Sequence, residues 1–278
     1  MTPIAVTGAT GGLGGRVARR LAAAGVEQVL VVRDPSRAPE LPGARLAKAS
    51  YDDSAAVQSA LAGVQTVFMV SGAEAPNRVD QHRSFVDAAV AAGVEHLVYT
   101  SFDGASPDST FLLGRDHWAT EEHIRGSGLR FTFLRDNLYA DFMPMMVGDD
   151  GVIRGPGGAG RAAVVARDDI ADVAAVVLGD PQAHIDATYV MTGPEALSFA
   201  EMAETLSVVL GRTITYVEET LDEAYASRAH YGAPQWQVDA WVSTYVAVAN
   251  GDLSAVSDDI PRLTGHPATS LADVVRNG

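Results

Sequence analysis

The sequence predicts an α/β protein built on a doubly wound parallel sheet, and three observations predict it. Short β-branched, apolar runs alternate with helix-period segments through the first half of the chain. Gly25, Gly63 and Gly93 each follow a helical segment, where a C-cap is wanted. A glycine-rich turn separates the first apolar run from the first helical segment.

Residues 2–7, TPIAVT, read as a buried strand. After the turn, Leu13, Val17 and Leu21 recur at helical spacing, with Gly25 as the cap. QVLVVR (28–33) is a second strand, and 45–49 a short third. A helix over 54–62 is closed by Gly63, and QTVFMVS (65–71) is a strand of the fully buried kind. A helix over 77–92 ends at Gly93, followed by the strand HLVYTS (96–101). A helix over 116–127 and the strand LRFTFLR (129–135) complete this series, with right-handed crossovers expected.

After Arg135 the rhythm loosens. DNLYADFMPMMVGDDG carries Pro144 and many bulky side chains, and IRGPGGAGRAAV reads as a loop or hairpin. RDDIADVAAVVLGD is an amphipathic helix, ATYVMTG a strand, SFAEMAETLSVVLG a helix and TITYVEE a strand. Residues 221–251 are mostly helical. The expected division is a core over 1–135 and mixed segments over 136–278. The latter partly return to the sheet and partly form a small C-terminal substrate lobe. No internal repeat or low-complexity linker separates the two.

Composition narrows the function classes. The 278 residues suffice for a large core, and 47% hydrophobic with 20% charged residues is an ordinary globular mix. With no cysteine, a disulfide framework, a thiolate metal site and a cysteine nucleophile are excluded. The start MTPIAVTG has neither the basic nor the apolar region of a signal peptide, and no apolar run reaches the roughly 18 residues of a membrane span. A cytoplasmic location is expected. The net charge of −15 repels a phosphate backbone and argues against nucleic acid as a partner. Lys48 is the only lysine, so every other fixed cation is an arginine.

VTGATGGLG spaces its glycines as Gly8-x-x-Gly11-x-x-Gly14, after a strand and before a helix. Gly8 permits the tight turn, Gly11 lets backbone approach a pyrophosphate, and Gly14 lets the helix pack closely on the strand. The helix start adds free N–H groups and a positive dipole end. This is a Rossmann-type dinucleotide cradle, set against the plainer alternative of a glycine-rich turn without a ligand. The second strand ends at Arg33, with Asp34 next and Arg37 beyond. A guanidinium binds a 2′-phosphate bidentately, so NADP(H) is favoured over NAD(H). Two alternatives stay open: Arg33 as a solvated strand-end charge, and Asp34 on the ribose.

These segments, with VVRDPSRA, GVEHLVYTS, HWATEEHIRGSGLRFTFLRDNLYADF and the C-terminal LTGHPATSLADVV, make the chain resemble the NmrA-like atypical short-chain dehydrogenases over nearly its whole length. That family includes bacterial NADPH:quinone oxidoreductases and triphenylmethane-dye reductases, NmrA regulators that bind dinucleotide without clear catalysis, and isoflavone-reductase-like enzymes. The resemblance implies NADPH across the carboxyl ends of the strands. It implies Thr7, Gly8, Thr10, Gly11, Gly12 and Leu13 at the pyrophosphate, and Arg33 at the 2′-phosphate. Val70, Ser71 and Gly72 would lie beside the adenosine ribose, and Thr100 and Ser101 near the nicotinamide. RDNLY, with Asn137 and Tyr139, would flank nicotinamide and substrate.

The Tyr-x-x-x-Lys pair of ordinary short-chain dehydrogenases is not present. Residue 44, four before Lys48, is alanine, and Leu113-x-x-x-His117 stands where the pair would fall. His117 either takes the lysine's place near the nicotinamide ribose, as the resemblance implies, or is a helix-surface histidine paired with Glu121 one turn on. Losing the tyrosine need not end redox activity, because hydride transfer is the cofactor's chemistry and a quinone or delocalised cation is a good acceptor. Water or His117 would deliver any proton. Phe102, Trp118, Tyr139, Phe142 and Met143, with Met145 and Met146, suit a flat apolar substrate, although at least half are expected to be core. The histidines contain no H-E-x-x-H or Cys/His cluster, so no metal site is expected. GPGGAG (155–160) has no helix attached and reads as a flexible turn.

The function expected is an NADPH-dependent reductase passing hydride directly to a quinone-like or conjugated aromatic acceptor, without flavin or metal. Two alternatives remain: a redox-sensing regulator with little catalysis, and a specialised-metabolism enzyme acting on an aromatic or polyketide-like intermediate. The expected partner is a small aromatic or quinone-like substrate, with no membrane; a homodimer is left open.

Overall fold

The computed structural model describes residues 2–278. The first half runs β1 (Ile4–Thr7), α1 (Gly14–Ala23), β2 (Gln28–Val32), β3 (Ala44–Lys48), α2 (Ser54–Ala60), β4 (Thr66–Met69), α3 (Arg78–Ala91), β5 (His96–Phe102), α4 (Leu112–Gly126) and β6 (Arg130–Asp136). The second half adds β7 (Val152–Gly155), β8 (Arg161–Ala162), α5 (Arg167–Gly179), β9 (Ala187–Met191), β10 (Leu197–Ser198), α6 (Phe199–Leu210) and β11 (Thr215–Glu218). It closes with α7 (Leu221–Arg228), α8 (Gln235–Ala249), α9 (Asp259–Thr264) and α10 (Leu271–Asn277).

The central sheet has seven strands in the order β3-β2-β1-β4-β5-β6-β9. Pairings β1–β2, β1–β4, β2–β3 and β4–β5 are parallel. β1, β2 and β5 are buried along their whole length, which explains why they read as continuous apolar runs instead of alternating ones. Strand order reverses between β1 and β4, and in doubly wound sheets ligands bind outside the carboxyl ends at that point.

The chain forms two compact units. One takes residues up to Ser101 with Asp116–Arg135 and Arg167–Tyr189. Val29, Val67, Phe85, Leu97 and Phe133 lie at its core. The other takes Phe102–Arg115, Asp136–Ala166 and Val190–Gly278, around Ile153, Phe199, Leu206, Tyr245 and Val248.

Two local expectations change, and the mostly helical reading of residues 221–251 holds. α4 starts at Leu112, not at residue 116, so Leu113 and His117 share one helix. Of the loop-or-hairpin reading of IRGPGGAGRAAV, the loop holds and the hairpin does not: a turn over residues 156–160 joins two strands that do not pair with each other. β7 pairs in parallel with β11, and β8 pairs antiparallel with β10. The turn between β7 and β8 is packed: Gly157 lies against the Phe199 ring, and Gly155 against that of Tyr245. Tyr216 Oη ties its ends, accepting from Gly157 N at 2.9 Å and donating to Gly155 O at 2.6 Å. Residues 221–251 divide into α7 and α8, separated by a 3₁₀ turn at Ala229–Tyr231 and a left-handed Gly232.

Candidate functional site

The β1–α1 turn has the geometry a pyrophosphate cradle needs. Gly8 has φ +64°, and its carbonyl accepts from Gly11 N at 2.8 Å. A Cβ on Gly14 would stand 2.5 Å from Thr7 O and closer still to Gly8 O, so helix and strand meet backbone to backbone. No side chain caps the first turn of α1 and no acidic residue lies in it; Gly15 N and Arg16 N donate to Gly11 O and Leu13 O, which leaves the dipole and the amides of Gly12, Leu13 and Gly14 ahead of them for an anion. Arg16 Nη1 donates to Gly12 O at 2.7 Å, and the Arg167 guanidinium lies against the Gly12 α-carbon.

On the other side of the strand-order reversal, β4 leads into Val70, Ser71 and Gly72. Thr7 Oγ1 accepts from Val70 N at 2.9 Å, while Tyr51 Oη lies 2.6 Å from Thr7 Oγ1 and donates to Val70 O at 2.5 Å. Ser71 N donates to Thr100 Oγ1 at 2.8 Å. Thr7 and Thr100 therefore hold the crevice walls in place with their side chains. Ser101 Oγ donates to Glu121 at 2.6 Å.

Arg33, Asp34 and Arg37 are exposed beyond β2. Asp34 Oδ1 accepts from Ser36 N at 3.0 Å and Ser36 Oγ at 2.7 Å, which holds its carboxyl below the usual range and engages it in the local turn.

A buried polar cluster surrounds His117. Arg78, 4% exposed, donates from Nε to Gly72 O at 2.9 Å, from Nη1 to Asp116 at 3.3 Å and from Nη2 to His117 Nε2 at 3.0 Å. With Nε2 accepting, Nδ1 carries the ring proton and faces Tyr99 Oη at 3.1 Å. Burial first, then the Arg78 charge, pushes the His117 pKa well below its ordinary value, so the ring is neutral. Of the two readings of His117, the helix-surface one fails, because His117 and Glu121 are both buried. Glu121 is fully buried and takes Arg135 Nη2 at 2.7 Å, Arg135 Nε at 2.9 Å and Arg125 Nη2 at 3.1 Å, because α4 turns this face inward.

His82 completes the cluster. Its Nε2 accepts from Gly72 N at 2.8 Å and its Nδ1 lies 2.9 Å from Thr120 Oγ1, whose own proton goes to Asp116 O. Burial and Arg78 push its pKa down to about 3. The unfolded chain binds a proton there below about pH 6.5 and the folded chain does not, so this site makes stability fall as pH drops from there toward 3. His82→Gln is expected to remove about one proton from acid unfolding, flattening the slope by up to about 1.4 kcal/mol per pH unit. Urea denaturation at pH 7.5 and 4.5 measures this; equal slopes in both proteins would contradict it.

In the other unit, Asn137 is 1% exposed and its amide is engaged: Nδ2 donates to Leu253 O at 3.1 Å and Asp103 Oδ2 at 3.2 Å, and Oδ1 accepts from Leu138 N at 2.8 Å. Tyr139 Oη donates to Asp136 at 2.9 Å. Among the apolar candidates, Phe102 and Met143 are core, Trp118, Tyr139 and Met146 are half-buried, and Phe142 and Met145 are exposed. Sequence reading missed Arg78, Tyr51, Tyr99 and Asp136. Nothing in their neighbourhoods marks charged or phenolic side chains as buried, and such groups are mostly exposed or intermediate.

A glycine cradle at the carboxyl edge of a doubly wound sheet defines a dinucleotide-binding protein of the Rossmann class. The chain belongs to the NmrA-like family, whose profile matches residues 2–231. It is 33% identical to an NAD(P)H azoreductase of Xenophilus azovorans, across 98% of this chain and 96% of that one. A crystal structure of an NADPH-dependent quinone oxidoreductase from Escherichia coli, complexed with NADPH, superposes with a TM-score of 0.89 at 33% identity, covering 99% of both chains. The triphenylmethane reductase of Citrobacter sp. gives 0.87 at 32%, covering 99% of this chain and 98% of that one. Among the described residues, no helix is long and apolar enough to cross a membrane.

Proposed function

We propose that the chain is an NAD(P)H-dependent oxidoreductase that prefers NADPH and reduces quinone-like or other conjugated aromatic acceptors by direct hydride transfer. The observation that carries this reading is the cradle: closely packed glycines and an uncapped helix start, at the point where strand order reverses. The names of the relatives support it, since azo, quinone and triphenylmethane reductases share a conjugated acceptor.

When bound, the reduced nicotinamide supplies the hydride. The Gly8–Gly14 turn and the α1 amides hold the pyrophosphate, with Thr10, Gly12 and Leu13 shaping the loop. Arg33 and Arg37 take the 2′-phosphate, while Asp34 stays with Ser36. Val70, Ser71 and Gly72 border the adenosine ribose, and Thr100 and Ser101 end β5 toward the nicotinamide. His117, neutral and held by Arg78 and Tyr99, positions and does not protonate. Asn137 fixes the loop carrying Tyr139, and Tyr139 and Phe142 offer aromatic faces to the acceptor.

Arg33→Ser is expected to weaken NADPH about tenfold or more and to leave NADH unchanged, because a hydrogen bond to a charged group contributes about 1.5–3 kcal/mol. Fluorescence titration with both cofactors checks it; equal loss for both would remove the 2′-phosphate role. Stopped-flow loss of NADPH absorbance against a panel of quinones tests the function itself. Tight NADPH binding without oxidation by any quinone, dye or enone would overturn it and favour a redox-sensing regulator.

A further inference from the structure

We propose that Arg167, seated on Gly12, is a diphosphate-binding residue: its guanidinium completes the glycine cradle from outside the β1–α1 turn and binds the diphosphate of the dinucleotide. The proposal rests on the reading above that the cradle holds a dinucleotide. Arg167 and the turn belong to the same compact unit.

Backbone geometry does not explain the glycine at position 12. Gly8 has a positive φ, and Gly14 meets the backbone of Thr7 and Gly8. Gly12 has neither feature. The three atoms nearest to a Cβ there all belong to Arg167: it would overlap Nη1 and stand 3.1 Å from Cζ and 3.6 Å from Cδ. The missing side chain therefore makes room for a guanidinium lying on the turn.

Helix α5 delivers that guanidinium. Arg167 is its first residue, and Asp168 its second. Arg16 Nε donates to Asp168 Oδ2 at 3.0 Å, and Arg20 donates to Asp168 Oδ1 at 3.0 Å and to Asp172 Oδ1 at 2.6 Å. The partners advance by one turn on both helices, from Arg16 with Asp168 to Arg20 with Asp172. The helices α1 and α5 therefore run side by side in the same direction, and both start at the glycine turn.

A helix start disfavours a cation, and here two positive dipole ends meet. Arg16 adds a second guanidinium to the same turn, donating to Gly12 O at 2.7 Å. An anion with two phosphates suits that concentration of positive charge, which stands out in a chain of net charge −15. Arg16 is committed to Gly12 O and Asp168, which leaves phosphate binding to the planar fork of Arg167, a group that takes phosphate oxygens two at a time. NADPH and NADH share the diphosphate, so Arg167 strengthens both and chooses neither, unlike Arg33 at the 2′-phosphate.

Calorimetric titration with NADPH, NADH and adenosine 2′-monophosphate tests this, since the last carries the 2′-phosphate and no diphosphate. Arg167→Met keeps the apolar stem and removes the charge. It is expected to weaken both dinucleotides by the same factor, about tenfold or more. It should also flatten the rise of Kd with salt and bind adenosine 2′-monophosphate as wild type does. Arg167→Lys keeps the charge without the fork and should recover part of the loss. Gly12→Ala displaces the guanidinium, so it should weaken both dinucleotides alone and add less than twofold in the Arg167→Met background. If Arg167→Met does not fold, Gly12→Ala and Arg167→Lys decide with the same three ligands. Wild-type affinity for both dinucleotides, an equal loss of adenosine 2′-monophosphate, or full additivity of the two substitutions would overturn the role of Arg167 and leave the cradle standing. If wild type binds neither dinucleotide, both readings fall.

Discussion

Replacing Glu121 with alanine is expected to destabilise the protein by about 3–5 kcal/mol, the usual cost of removing one partner from a buried ionic group. The side chain is fully buried, and its two oxygens take four donors: Ser101 Oγ, Arg135 Nε and Nη2, and Arg125 Nη2. Without it, two guanidinium groups face each other beside a buried serine hydroxyl. Arg135 is 23% and Arg125 36% exposed, so water rescues part of the loss and the lower end of the range is expected. In a domain of this size that corresponds to a fall in Tm of roughly 6–12 °C. Thermal melting checks it, and Glu121→Gln, which keeps the shape and two acceptor sites, should lose less. A change below 1 °C in the alanine variant would show that the network contributes little. Because Arg135 immediately precedes Asp136 and Asn137, dinucleotide binding measured at low temperature separates a stability effect from a binding effect.

Gly14→Ala should be the most damaging single change to cofactor binding. Its Cβ would fall 2.5 Å from Thr7 O, inside contact distance of backbone that cannot rotate away. Either α1 moves off β1 or the turn opens, and both displace the amides that face a pyrophosphate. Overpacking of this kind costs about 1–3 kcal/mol in stability. A comparable loss at the cradle weakens NADPH roughly 5- to 150-fold. Calorimetric titration with NADPH and a thermal melt measure the two effects. Gly179→Ala is the control, since it ends α5 with nothing within 4 Å of the added carbon. It should bind NADPH as wild type does. Wild-type affinity in Gly14→Ala would show that this packing is not what shapes the cradle.

The sequence by itself determined the architecture. Continuous apolar runs become the central buried strands because a parallel sheet is covered on both faces, and that requirement leaves a pattern in composition alone. The cradle was equally legible, because glycine marks local backbone demands: a positive φ at Gly8 and a close approach at Gly14 depend on neighbours a few residues away. Side-chain partnerships across the fold were not legible in the same way. His117 and Glu121 are one helical turn apart, which suggests a surface pair, yet burial sends His117 to Arg78 and Tyr99 and Glu121 to Arg135 and Ser101. The glycine-rich stretch at 155–160 read as flexible because nothing local says that Phe199 and Tyr245 pack onto it.

Asp136 shows the limit most plainly. In RDNLY it is one polar residue among several, and neither its spacing nor its neighbours announce that it is buried with a bare oxygen beside a tyrosine. Local sequence fixes backbone shape through sterics and periodicity, which act over a few residues. Protonation state and hydrogen-bond choice depend on which distant groups exclude water from a side chain, and only the assembled tertiary structure decides that.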